Sequence, residues 1–171
     1  FINGRWHLYY TGRKSSGASL QNFCGIGLAT SDDLIHWTRY SSQPILIGNG
    51  FAQWPDNLGI AGGARIIEIE DARGKKIYRM HYTLLTGTPS PDKLIDQAKH
   101  AACVDSYDGI NWFDHRLLLQ PRIEADYENA AVIALNVWKT QSGYRAIYGG
   151  IGTRFGAYST CEAQSDDGLI W

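Results

Sequence analysis

Ser31-Asp-Asp-Leu-Ile-His-Trp37 returns as Ser106-Tyr-Asp-Gly-Ile-Asn-Trp112 and again as Ser165-Asp-Asp-Gly-Leu-Ile-Trp171. A strand-like stretch precedes each copy, and another precedes that: Trp6-His-Leu-Tyr-Tyr10, Ile77-Tyr-Arg-Met-His-Tyr82 and Tyr144-Arg-Ala-Ile-Tyr148. Short strands closed by a turn and repeated along a chain are the pattern of propeller blades, four-stranded sheets set around a channel. In the turn, the Ser and the Asp two residues later are placed to bond nearby backbone amides, and Gly109 or Gly168 permits positive φ. Leu34 stands where that glycine would be. A turn repeated three times has no single functional focus, so its Ser, Asp and Trp read as scaffold, the indole filling the space between blades.

Alignment of the copies predicts an all-β chain of four-stranded antiparallel modules. The second strand spans 6–11, 77–83 and 144–149, with Tyr78, Met80 and Tyr82 alternating against Arg79, His81 and Thr83 at the period of a half-buried strand. The third strand spans 24–30, 100–105 and 159–164, where small residues let neighbouring sheets approach. The fourth begins at the turn tryptophan, over 37–40 and 112–119. The first strand is read at 63–69 and 130–136; it is missing from the first module, as the fourth is from the third. About two and a half blades result, in one partial propeller domain with modules near 1–59, 60–124 and 125–171. A closed propeller takes at least four blades, and the chain reads as a fragment of a longer protein. Between the second and third strands of the middle module, Ser90 followed by Pro91 predicts the start of a short helix.

The bulk properties exclude several function classes. A net charge of −1 with a pI near 6.6 argues against nucleic acid or an anionic membrane as the partner. No apolar run has the length to span a bilayer. Cys24, Cys103 and Cys161 make neither a disulfide framework nor a CxxC pair, and read as small buried hydrophobes. No HExxH, Cys–His cluster, EF-hand loop, P-loop or dinucleotide fingerprint is present, so no metal or cofactor is argued. Gly149-Gly-Ile-Gly152 reads as a turn, and no Gly-x-Ser-x-Gly elbow marks a serine hydrolase. Secreted, periplasmic and cytoplasmic bacterial locations are all compatible with these features.

A propeller aims its first strands at the channel, so acids on or before those strands are the candidates for chemistry. Matching Val132-Ile133 to Arg65-Ile66 sets Glu128 opposite Ala61 and Asp126 opposite Gly59. An acid in one repeat and absent from its sister is not required by the fold, which singles out Glu128. Trp54 and Tyr127 lie in approaches to first strands, where an aromatic ring can stack on a sugar. Arg65 is placed to bind a hydroxyl or an acid in the channel, and Asp126 to act as a neighbouring charge or a sugar ligand.

Trp6-His-Leu-Tyr-Tyr-Thr-Gly12, Ile26-Gly-Leu-Ala-Thr-Ser-Asp-Asp33 running on to Trp37, and Pro44-Ile-Leu46 resemble the five-bladed propeller glycoside hydrolases, the superfamily of arabinanases, β-xylosidases, invertases and fructan hydrolases. The resemblance covers the chain as blade grammar. It implies three acids converging from successive first strands. The first, an Asp, would lie upstream of Phe1. The second, an Asp, would fall near residues 61–64, where none stands; Asp56 is the nearest. The third, a Glu general acid, maps onto Glu128, with Ala131 where the family has proline. Glycoside cleavage needs a protonated carboxyl at the leaving oxygen and a second carboxylate on the opposite face, and their separation decides inversion or retention. The resemblance thus implies hydrolysis of arabinosyl, xylosyl or fructosyl linkages in an oligosaccharide or polysaccharide. A sialidase is disfavoured by its eight-residue turn motif against the seven seen here. A non-catalytic propeller binding glycans or proteins is the alternative.

Overall fold

The computed structural model describes residues 1–13, 24–53, 59–86, 99–152 and 156–171. Among the described residues, eleven strands form three antiparallel groups joined edge to edge. The N-terminal blade holds β1 (Trp6–Arg13), β2 (Cys24–Ser31), β3 (Thr38–Arg39) and β4 (Leu46–Ile47). The middle blade holds β5 (Gly59–Glu70), β6 (Lys76–Leu85), β7 (Lys99–Ser106) and β8 (Phe113–Leu119), and the C-terminal blade β9 (Ala131–Thr140), β10 (Gly143–Ile151) and β11 (Tyr158–Ser165). Within each blade neighbouring strands pair antiparallel, β3 and β4 both on β2, and one parallel bridge links each blade to the next: Cys24 to Gly59 and Lys99 to Ala131. This is the expected propeller arrangement. The residues expected to begin a helix at Ser90 lie outside the described residues.

The three turns share one set of bonds. The hydroxyls of Ser31, Ser106 and Ser165 accept the amides of Leu34, Gly109 and Gly168, each at 2.9 Å. The aspartate two residues after each serine then accepts the next two amides at 2.8 to 2.9 Å. Those amides hold the Asp167 carboxyl below its ordinary range, the Ile170 and Leu169 donors contributing most. Leu34 takes the glycine's left-handed conformation, with φ of 65°. The fourth strand of the N-terminal blade is split into β3 and β4 around Pro44, which has no amide to give to β2.

Two apolar cores lie between the blades. Ile26, Phe51, Ile60, Met80 and Tyr82 fill the first, with Trp112 packed against it; Ala101, Val132, Leu135 and Tyr148 fill the second, with Trp171 against it. The tryptophans of the second and third turns therefore seal blade interfaces, as expected, while Trp37 stays partly exposed. The alternation read in the middle blade needs correcting: β6 is buried on both faces beyond its first residue. Arg79, His81 and Thr83 are buried because the C-terminal blade covers the face they occupy. Arg79 pays its desolvation through a buried two-pronged bond to Asp105 at 2.8 and 3.0 Å, with Arg116 on the same carboxylate. Cys24 and Cys103 are buried and Cys161 half-buried, all unbridged, and burial pushes each thiol up. No helix among the described residues is long and apolar enough to cross a membrane.

Candidate functional site

The first strands β5 and β9 both break register near their beginnings, β5 between Ile60 and Arg65 and β9 between Ile133 and Asn136. The break in β5 uses Gly62 and Gly63, with φ of 119° and 74°. A side chain at Gly62 would come within 2.7 Å of Thr11 Oγ1 on β1, so the N-terminal blade closes against that backbone. The break in β9 falls on Ala134, a non-glycine with φ of 54°, whose amide donates to Thr83 Oγ1 at 3.0 Å. Bulges of this kind re-aim a strand and concentrate beside functional sites. Here they bring the inner edges of all three blades around a cavity of about 460 Å³. Its lining includes Arg13 and Cys24 from the N-terminal blade, Gly62, Thr83 and Lys99 from the middle blade, and Ala134 and Tyr158 from the C-terminal blade. A larger hollow of about 560 Å³, lined by Tyr10, Gly25, Gly27 and Pro44, lies on the opposite face of β2 from Ile26, away from the first strands.

Glu128 ends a tight segment just ahead of β9, its amide donating to the Ala125 carbonyl at 2.9 Å. It is 2% exposed. One carboxylate oxygen accepts the Arg122 Nε–H and the other accepts the Tyr148 hydroxyl at 2.5 Å. Arg122 also donates to the Tyr127 hydroxyl at 2.6 Å. Both oxygens of Glu128 thus act as acceptors, the bonding of an ionised carboxylate. Burial and the bond to Glu128 push the Tyr148 phenol far up, and the same carboxylate raises Arg122. Gly150 and Gly152 make room for this segment: side chains there would meet Glu128 Cβ at 2.8 Å and the Asp126 carbonyl at 1.9 Å. The glycine cluster read as a turn is therefore corrected: Gly149 and Gly150 belong to β10, kept small for close approach by residues 125–128.

Trp54 and Asp56 lie outside the described residues. Arg65 is on β5, exposed, and donates through Nε to Asn136 Oδ1 on β9 at 2.8 Å, tying two first strands together. Asp126 is exposed and Tyr127 half-buried beside Arg122. The ladders also correct the match between first strands. Gly59 pairs with Leu85 and bridges Cys24; Ala131 pairs with Ile151 and bridges Lys99. Gly59 is thus the counterpart of Ala131. Farther along, Arg65 faces His81 as Asn136 faces Ile147, so Arg65 is the counterpart of Asn136 and not of Val132. Five residues intervene on β5 and four on β9, so the sequence match is out by five residues at the bridges and by four beyond the bulges. Counted back from the bridges, Asp56 and Glu128 each stand three residues ahead. Arg122, Tyr148, Arg13 and Lys99 escaped the sequence reading. The first two are joined to Glu128 only by the fold, while both cations stand at strand ends.

No family model matches the sequence, and no curated protein matches it. Solved structures do. A thermostable family-43 glycoside hydrolase superposes with a TM-score of 0.65 at 18% identity, over 99% of this chain and 49% of that one. A glycosyl hydrolase from Bacteroides ovatus gives 0.64 at 19%, over 100% and 45%. A variant of the Bombyx mori GH32 β-fructofuranosidase in complex with sucrose gives 0.63 at 15%, over 97% and 32%. The chain spans less than half the length of each. Its fold is that of the propeller glycoside hydrolases of the GH43 and GH32 type.

Proposed function

We propose that this chain forms part of the channel of a glycoside-cleaving propeller, acting on arabinosyl, xylosyl or fructosyl linkages. Asp56 and Glu128 are its carboxyl pair; Trp54, Arg65, Asp126 and Tyr127 hold the sugar. The observation that carries the reading is the equivalence of Gly59 and Ala131, which gives two successive blades an acid at the same count ahead of the channel. Two carboxyl groups converging from neighbouring strands are what glycoside cleavage requires, one giving a proton to the leaving oxygen. In this reading an entering sugar displaces Arg122, whose side chain is 51% exposed, and frees Glu128 to take up the proton it delivers.

The same ion pair favours a second reading, a propeller that binds glycans without cleaving them, since a carboxylate bonded by Arg122 and Tyr148 is well suited to hold a loop. Hydrolysis of aryl arabinofuranosides, xylosides and fructosides by the wild type and Glu128→Gln separates the two. Loss of activity in a folded variant, least for the substrate with the best leaving group, assigns Glu128 as general acid. Unchanged activity removes Glu128 from the mechanism. Glycan binding without cleavage by the wild type supports the second reading.

A further inference from the structure

The cavity at the inner ends of the first strands has a charge character that glycoside cleavage alone does not call for. Two cations line it, Arg13 from the end of β1 and Lys99 from the start of β7, and no carboxylate stands among its described lining residues. Lys99 is only 7% exposed yet borders the cavity. Arg13 is exposed, on the strand face that carries Thr11 toward Gly62. Tyr158, 56% exposed, borders the same space. A neutral sugar needs hydroxyl acceptors as well as donors, and cations supply donors alone. Two cations bordering one cavity suit an oxyanion.

We propose that this cavity is a subsite for an oxyanion, the carboxylate of an acidic sugar whose ring lies on Tyr158, with Arg13 and Lys99 as its ligands. Inorganic phosphate carries the same recognition chemistry and is the other source of such a group, but the exposed aromatic ring beside the cations favours an anion carried on a sugar. The inference rests on the glycoside reading for the sugar, and on the cavity alone for the anion.

The test is calorimetric titration of the protein with the methyl glycosides of glucuronic and galacturonic acid, their neutral glucose and galactose counterparts, and inorganic phosphate. The expected result is that one acidic glycoside binds about tenfold or more tighter than its neutral counterpart. That preference weakens as salt is raised and disappears in Arg13→Gln. Arg13 is exposed, so this variant keeps the fold even where Lys99→Gln does not. Phosphate binding that is lost in Arg13→Gln, with neither acidic glycoside preferred, upholds the oxyanion site and overturns the acidic sugar as its occupant. Binding of no anion, or a preference that survives Arg13→Gln, overturns the proposal. Cleavage of neutral aryl glycosides without anion binding removes the subsite and keeps the glycosidase reading. Anion binding without cleavage of any glycoside does the reverse.

Discussion

Acid should loosen the interface between the middle and C-terminal blades through one residue. His81 is fully buried on β6, and neither ring nitrogen has a hydrogen-bond partner among the described residues. Burial is the largest influence on it, and the Arg79 charge adds to that; together they lower its pKa from 6.5 to about 4, while the Arg65 backbone and the Asp105 carboxylate oppose more weakly. The folded protein therefore holds His81 neutral where the unfolded chain protonates it. Stability from this group is complete above pH 6.5 and falls as the pH drops toward 4. At about 1.4 kcal/mol per pKa unit, the full loss is about 3 kcal/mol, of which about 2 kcal/mol has gone by pH 5. Urea unfolding at pH 7, 6, 5 and 4.5, for the wild type and His81→Leu, reads it. His7, His100 and His115 are also lowered, chiefly by burial, so the difference between the two proteins isolates His81. The variant should lose about 2 kcal/mol less than the wild type between pH 7 and 5. Parallel losses in both proteins would refute the argument.

Other consequences can be checked by the same unfolding measurement. Leu34→Gly should stabilise by about 1 kcal/mol, because Leu34 holds a left-handed φ of 65° with its side chain half exposed. Asp105→Asn should cost about 3 kcal/mol by leaving the Arg79 charge buried without its counter-ion. Tyr148→Phe should cost about 2 kcal/mol at pH 7, since Glu128 loses one of its two donors. A loss under half that size would mean that water replaces the hydroxyl.

The turns were legible because everything that shapes them lies within six residues. Ser106, Asp108 and Gly109 specify their own bonds, so repeating them announced both the blade and its spacing. The match between first strands was not legible. It is four to five residues out, of which the unequal bulges at Gly62-Gly63 and Ala134 account for one; the rest depends on which residues pair across blades, which local sequence does not show. Glu128 was singled out by an asymmetry that the corrected match removes, since Asp56 stands at the same count ahead of the sister strand. Its partners were hidden: Arg122 lies six residues before it, and Tyr148 reaches it from β10. The second buried face of β6 was also hidden, because a buried arginine and a solvated one are spelled alike until Asp105 is brought opposite.

The two bridges from Cys24 to Gly59 and from Lys99 to Ala131 work like the rivet of a hand fan. Main-chain bonding joins neighbouring blades at the cavity end, while over the rest of their length they meet through side chains. The spacing around the cavity is thereby set by backbone, which does not change with residue type. Farther out, β8 or the β3–β4 pair can drift in sequence, or be exchanged for a relative's, and the blade can tilt to repack without moving Gly62 or Ala134. Variation among related chains should therefore accumulate toward the rim, leaving the geometry at the rivet as it is.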